Sequence, residues 1–338
     1  MRLPFGKVPL EILNDVVFKN LGFKRGEVVV GPSAGFDGAV VDLDDKCIIT
    51  SMDPITGAVE RIGWLAVNIN ANDVATFGVK PAYFSSCILL PEEADRETLR
   101  VICSQMDKAS KKLEIAIIGG HCEVSLELAR PIVVGCAIGV AAKGKYVTAG
   151  GAKPGDKIIL TKSAGVEGTA ILATEHYRVL CRSGVDRKLL KSAERFFEKI
   201  SIVKEAILAF ENGGVNAMHD PTEGGVLGGV HEMADASGLG LKVFEEKIPV
   251  AKETREICSF FKIDPLQLIS SGALLIASEK DKAGKIVKKL KAHRIEASII
   301  GEFLASKSER MLIRRGGVKE PLPRPECDHL WSALAKNR

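Results

Sequence analysis

The residues able to do chemistry gather in a few short stretches. "WLAVNINANDVATFG", Trp64 to Gly78, sets Asn68, Asn70, Asn72 and Asp73 among apolar residues. Asn and Asp are poor helix-interior residues, because their side chains compete for the backbone. Asn68 and Asn72 are spaced i,i+4 and share a helix face, and Asp73 is the next position round. Such a helix is expected to border a wet, polar site. Two further acids, Asp37 in "GFDGAVV" and Asp53 in "TSMDPITG", sit beside Gly or Pro at the ends of apolar runs. Mg²⁺ takes oxygen ligands, keeps several waters and is usually held by one or two carboxylates plus substrate phosphates. Taken singly, each Asp reads more simply as a helix cap or turn residue. The Asn-rich helix shifts the balance toward a shared metal site of Asp37, Asp53 and Asp73.

"GGHCEV", Gly119 to Val124, follows an apolar run. Gly119 and Gly120 allow close backbone approach to a ligand. His121 and Glu123 alternate onto one side of an extended chain, and Cys122 faces the other way, toward the core. A glycine turn with two surface polar residues fits equally well. "HDPTEGGVLGGVHEMA", His219 to Ala234, is the strongest feature of the second half. Thr222 is expected to cap a helix beginning at Glu223. Gly224 and Gly225 would leave its start uncovered, as an anion site beside Asp220. Glycines for close helix packing would show the same spacing.

Hydrophobic periodicity supplies the elements that must position these groups. Residues 8–21 read as a helix. "GAVVDL" and "KCIITSMD" read as strands joined by a turn at Asp44-Asp45. A helix over 60–77 follows, then the strand "AYFSSCILL", a long amphipathic helix, and the strands "IAIIGG" and "ARPIVVGCAIGVA". Gly150, Gly151, Pro154 and Gly155 mark a seam, which places a domain boundary near residue 150. The second half predicts helices at 167–180, up to 212, and at 223–237. Strand 273–278, a Lys-rich helix at 281–292, and strands 295–303 and 310–314 complete it. The helices are too unevenly spaced for a doubly wound sheet, so the class is α+β with two domains.

Composition narrows the function. Lys+Arg 47 against Asp+Glu 43 gives a net charge of +4, which does not point to nucleic acid, and only 5% of residues are aromatic, too few for stacking platforms. No signal peptide or membrane span is read from the chain, so a cytoplasmic protein is expected. Eight cysteines show no C-x-x-C pair, hence no zinc or thioredoxin signature. "GVAAKGKY" approaches a phosphate-binding loop, but Tyr146 stands where Ser or Thr is required and no helix pattern follows. The run "EKDKAGKIVKKLKAHR" is a solvated helix face.

In their order along nearly the whole chain, these motifs resemble the aminoimidazole ribonucleotide (AIR) synthase-like superfamily, and within it either the HypE branch of hydrogenase-maturation factors or an AIR synthase-related group beside it. The matching pieces are "FDGAVV", "SMDPITG", "LAVNINANDVATFGVKP", "GGHCEV" and "HDPTEGGVLGGVHEMA". The resemblance implies a two-domain subunit, with an ATP/Mg²⁺-binding and dimerisation domain over 1–150 and a C-terminal α/β domain over 151–338. The N-terminal domains would pair into a β-barrel dimer core. The shared chemistry would be ATP-dependent activation of an amide-like oxygen, or γ-phosphoryl transfer, on a small or carbamoyl-type substrate. Asp37, Asp53 and Asp73 would then hold metal. Asn72, Gly119, Gly120, His121 and Glu123 would meet phosphates. Asp220, Thr222, Gly224 and Gly225 would act from the second domain. Gly6 and Lys7 in "FGKVP" resemble a flexible glycine segment that covers phosphates.

The chain departs from that pattern in three places. Phe36-Asp37 stands where relatives commonly carry two acids, and His121 replaces an acid. HypE ends in a Pro-Arg-Ile-Cys tail, whereas here the tail is "PLPRPECDHLWSALAKNR", in which Cys327 is followed by Leu330, Trp331 and Leu334, the apolar stripe of a short docking helix. An assembly partner that binds nucleotide without turnover, docking on a maturation protein, is therefore the second expectation.

Overall fold

The computed structural model describes residues 3, 6–33, 35–56 and 59–335. The chain divides into two compact units. One comprises residues 25–31 and 37–146; the other gathers 1–24, 32–36 and 147–338.

The first unit is a six-stranded sheet, order β1-β2-β3-β6-β4-β5. Its strands are β1 (Val28–Val30), β2 (Ala39–Leu43), β3 (Lys46–Ile55), β4 (Pro81–Leu90), β5 (Ala116–Val124) and β6 (Ile132–Ala142). The β2–β3 hairpin turns at Asp44, which takes the left-handed conformation (φ 52°). All neighbours are antiparallel except β4 and β5. The sheet is open, with β1 and β5 at its edges. The first helix, α1, is only Leu10–Ile12 and runs on as a π-turn over Leu13–Val17, shorter than the 8–21 read from the sequence. Pro9 precedes its start, and Asn20 turns its amide onto the Val16 carbonyl at 2.7 Å, a local bond that competes with further helix.

Helix α2 (Ile62–Thr76) packs on β3 and β6, with α3 (Arg96–Leu113) beside it. Asp95 caps α3 by accepting from the Thr98 N–H at 2.8 Å. Every residue of α2 is buried. A helix this apolar must be enclosed, and two glycines let it approach the sheet. A β-carbon at Gly135 would lie 2.4 Å from Nδ2 of Asn70, and one at Gly139 would lie 2.7 Å from Val74.

The second unit is built on a seven-stranded sheet, order β13-β12-β9-β11-β7-β10-β8. These strands are β7 (Lys157–Thr161), β8 (Val215–His219), β9 (Gly240–Phe244), β10 (Leu275–Ser278), β11 (Ala297–Leu304), β12 (Arg310–Ile313) and β13 (Lys319–Pro321). Between β7 and β8 the chain forms α4 (Val166–Glu175), α5 (Tyr177–Arg182), α6 (Arg187–Glu194) and α7 (Val203–Asn212). Then come α8 (Gly225–Ser237), α9 (Lys252–Phe261), α10 (Lys280–Ala292) and α11 (His329–Ala335). Val226, Leu227, Val230, Met233 and Ala234 of α8 join Leu160, Leu275, Phe303 and Leu312 of the sheet in one apolar core. Both units mix helices with largely antiparallel sheets, the α+β class expected. Among the described residues no helix is long and apolar enough to cross a membrane.

Candidate functional site

In the first unit β3 passes under α2, where Ser51 meets Asp73 and the Asp53 backbone meets Asn70. Alternation along β3 puts Ser51 and Asp53 on the face toward the helix. Ser51 Oγ donates to Asp73 Oδ2 at 2.6 Å. The Asp53 N–H donates to Asn70 Oδ1 at 2.7 Å, and Asn70 Nδ2 donates back to the Asp53 carbonyl at 3.2 Å. Asn70 thus pairs with β3 as a neighbouring strand would. Asn68 and Asn70 also donate to the carbonyls of Trp64 and Ala66, each at 2.8 Å. The expectation of a wet helix face is therefore corrected. Asn68, Asn70, Asn72 and Asp73 are all buried, and the first two serve the backbone. Asp37 lies one residue before Gly38, where a β-carbon would stand 2.7 Å from the Thr50 carbonyl, so the chain at Asp37 runs close against β3.

His121 and Glu123 do share a side of β5, with Nε2 and Oε2 at 3.2 Å. They stand apart from the acids, however. Register places Asp53, Gly135, Ser86 and Gly120 in one row on successive strands. Three strand spacings make roughly 14 Å between Asp53 and Gly120, and His121 is the next residue. A β-carbon at Gly120 would lie 2.3 Å from the Ser86 carbonyl, so this glycine answers to strand pairing. Gly119 has open space around it. Cys122 is exposed, against its reading as core, because β5 is an edge strand exposed along its whole length.

In the second unit β8 delivers His219 and Asp220, both buried, to the turn that opens α8. The helix begins at Gly225, two residues later than read, and Thr222 does not cap it. Thr222 Oγ1 instead accepts from Lys7 Nζ at 3.1 Å. The Lys7 N–H donates to Glu223 Oε2 at 3.1 Å, and Lys7 Nζ lies 3.8 Å from Glu232 Oε1. Gly6, φ 87°, fits against Glu223 and the indole of Trp331. The sequence-predicted Gly6, Lys7 and Thr222 are thus brought together.

The helix start is not bare, which corrects a second expectation. The Gly224 N–H donates to Asp328 Oδ2 at 2.7 Å, so a carboxylate from the chain's own tail occupies it. Gly224 and Gly225 have φ of 82° and 61°, a pair of left-handed residues that only glycine adopts easily. A β-carbon on Gly225 would lie 2.6 Å from the Leu268 carbonyl. Close packing accounts for that glycine.

Two residues absent from the sequence reading belong to this region. Glu232 Oε2 and His219 Nε2 are 2.8 Å apart. Burial pushes the Glu232 carboxyl up, but Lys7, His219 and Arg324 together outweigh it and hold the group at about 2. Asp328 is the other. Burial is the largest influence on it and raises it to about 6, against N–H donors from Leu330, Gly224 and Ile269. His219 and Glu232 are thirteen residues apart, and only the packing of α8 beside β8 joins them. Asp328 was legible as a helix cap ahead of an apolar stripe, but not as the partner of Gly224.

The donors at β3–α2 are a hydroxyl and carboxylates, hard oxygen ligands that suit Mg²⁺ better than a soft metal.

Two family models match the chain: AIR synthase related protein, N-terminal domain, over residues 35–141, and AIR synthase related protein, C-terminal domain, over 153–314. A putative hydrogenase expression/formation protein of Methanocaldococcus jannaschii is 33% identical over 306 residues, covering 88% of each chain. Carbamoyl dehydratase HypE of Escherichia coli is 29% identical over 82% of this chain and 81% of its own. Among solved structures, a HypE-HypF complex contains a chain that aligns with TM-score 0.75 and 25% identity, over 93% of this chain and 99% of that one.

Proposed function

The chain belongs to the AIR synthase related family, and from that membership we propose that it is an ATP-dependent, HypE-like enzyme of hydrogenase maturation. It would activate an amide-like or phosphate oxygen, carbamoyl-type substrates included, by phosphoryl transfer. The bond to the γ-phosphorus of ATP breaks, the substrate oxygen takes the phosphoryl group, and ADP leaves. Positioning and charge neutralisation dominate such a reaction.

The observation that supports this reading is the contact of the "SMDPITG" strand with the Asn-Asp helix, Ser51 to Asp73 and the Asp53 backbone to Asn70, two of the motifs that order the family resemblance. Asp37, Asp53 and Asp73 would hold Mg²⁺, which supplies neutralisation of phosphate charge. Ser51, bonded to Asp73, would orient that carboxylate. Asn72 would orient phosphates from the same helix. Lys7, with Gly6, would cover phosphates, and Thr222 and Asp220 would face the substrate. Glu232, ionised and paired with Lys7 and His219, would hold both in place. Residues 1–150 would form the nucleotide-binding and dimerisation half and 151–338 the other, in a cytoplasmic homodimer. There β5 would carry His121 and Glu123, beside Gly119 and Gly120, to the second copy. The test is release of ADP from Mg²⁺-ATP by the purified protein with a carbamoyl-type acceptor; nucleotide binding without ADP release sinks the enzymatic reading.

One observation favours a second reading, a nucleotide-binding assembly partner. Cys327 is followed by the buried Asp328 and by α11, which docks through Leu330 and Ala333, so its thiol stands just ahead of a docked helix. A maturation protein of the kind HypE meets in its complex with HypF would then be the partner. Binding without turnover, together with capture of that partner, supports this alternative.

A further inference from the structure

The last described segment, residues 322–335, runs past the flank and the start of α8 and is fastened at both ends. At the near end the Pro323 carbonyl meets His231 Nε2 at 3.1 Å. Arg310 Nη1 lies 2.9 Å from His231 Nδ1. Arginine only donates, so Nδ1 accepts and the proton sits on Nε2, directed at Pro323. Arg324 bonds to Asp235, which also accepts from Arg310 at 2.5 Å. At the far end Asp328, 1% exposed, accepts from the Leu330 N–H at 2.7 Å and the Gly224 N–H at 2.7 Å. One carboxylate therefore caps α11 and fills the start of α8. The next residue, His329, takes the Asp264 N–H on Nδ1 at 3.0 Å.

We propose that residues 322–335 are a strap that pins the Gly6–Lys7 segment against α8, and that the protonation state of Asp328 sets how tightly the strap closes.

The pinning is geometric. Trp331 Nε1 of α11 lies 3.3 Å from where a β-carbon on Gly6 would stand, and Glu223 Oε2 lies 2.9 Å from the same point. Lys7 is bonded to Thr222 and Glu223 in the same turn. Lifting α11 removes the Trp331 contact from Gly6. The sensitivity comes from what surrounds Asp328. The ionisable groups whose charge acts with it are Glu223 from the α8 turn and Cys258 from α9, whose thiol burial pushes up to about 12 and which is therefore neutral. Asp264 acts on the same thiol, and its backbone N–H is held by His329. A buried carboxylate surrounded this way is costly when charged.

The sign follows from linkage. Docked, the Asp328 carboxyl stands at about 6 against an ordinary 3.8. The docked strap binds the proton better than the lifted one, so docking tightens as pH falls through 6 and loosens as it rises. Between pH 5 and pH 8 the closing equilibrium changes about tenfold. His231 acts in the opposite sense at the near end, because burial and two arginines favour its neutral form. The two ends must therefore be read separately. The consequence for catalysis, that freeing Gly6 and Lys7 gates nucleotide, rests on the functional reading above. The strap itself does not.

Hydrogen exchange of the intact protein without nucleotide reads the strap directly, since protection reports the opening equilibrium. After correction for intrinsic rates, amides of 329–335 should lose about tenfold protection from pH 5 to pH 8. Asp328→Asn should abolish that dependence. Glu223→Gln, which removes a neighbouring negative charge, should move the transition to lower pH. Protection that is flat or rises with pH in the unmodified protein, a dependence that survives Asp328→Asn, or a midpoint unmoved by Glu223→Gln would each overturn the proposal. A pH step in exchange without any ATP binding leaves the strap standing and removes the enzymatic reading instead.

Discussion

Asp73 is the residue on which the metal assignment turns. Its carboxylate is buried and bonded to Ser51, so a neutral isostere keeps the packing. Asp73→Asn should leave thermal stability nearly unchanged and weaken Mg²⁺-ATP about tenfold or more; unchanged affinity by titration calorimetry removes Asp73 from the metal set. Glu232 yields a pH prediction. Its folded value near 2 lies below the ordinary 4.5, so its contribution is present above 4.5 and lost as pH falls toward 2. With its side chain 32% exposed, the discounted contribution is on the order of 1–2 kcal/mol. Glu232→Gln should therefore lower stability at pH 7 and flatten its fall in acid. A urea midpoint unchanged at pH 7 counts against the pairing with Lys7 and His219. Cys327 is exposed but sits between two fastenings, at Arg324 and Asp328. Cys327→Ser should retain ATP turnover. Turnover lost with binding kept, or carbamoyl mass found at Cys327, would make it a carrier.

At the scale of elements, what was legible depended on how local the cause was. The β2–β3 hairpin follows from a turn between two apolar runs, and α3 from its capping Asp95 and amphipathic period. The early start given to α8 came from reading Thr222 as a cap, when a lysine more than two hundred positions upstream holds its hydroxyl. Asn68 and Asn70 of α2 misled for a different reason. The partners of these two are the helix's own carbonyls and β3, so their polarity in the sequence meant internal satisfaction rather than a wet face. Of the candidate site, the local groupings were visible, Asp53 with the Asn-Asp helix and His121 with Glu123. Register across four strands, which separates these two groups, was not. The fit of α2 gives a stability test. A β-carbon at Gly135 meets Asn70 at 2.4 Å and the Phe84 ring at 2.8 Å. Gly135→Ala should cost about 1–3 kcal/mol by overpacking, read as a lower urea midpoint with unchanged m-value. No change would show that α2 is looser on β6 than its geometry states.

For the whole molecule, the open sheet of the first unit poses a problem that the chain alone does not solve. Its edge strand β5 is exposed from end to end, with Ile117 at 45%, Ile118 at 58% and Val124 at 57%. The face away from α2 adds Met52 at 64% and Tyr83 at 42%. An exposed apolar edge is a template for pairing with another chain, and contiguous apolar patches mark interaction sites. Natural edges are usually blunted by charge, Pro or a bulge, and on β5 the polar side chains of His121 and Glu123 bond to each other. A second copy across a two-fold axis would cover such a surface, because an isologous interface needs only one self-complementary patch. The protein should therefore behave as a dimer of the 36.3 kDa chain at micromolar concentration in light scattering. Ile118→Lys, which puts a charge into the middle of β5, should shift it to monomer without unfolding it, because Ile118 buries little within its own chain. If the unmodified protein already scatters as a monomer, the edge is covered by something else. If Ile118→Lys remains dimeric, the two-fold contact lies on another surface, and His121 and Glu123 lose their route to a second copy.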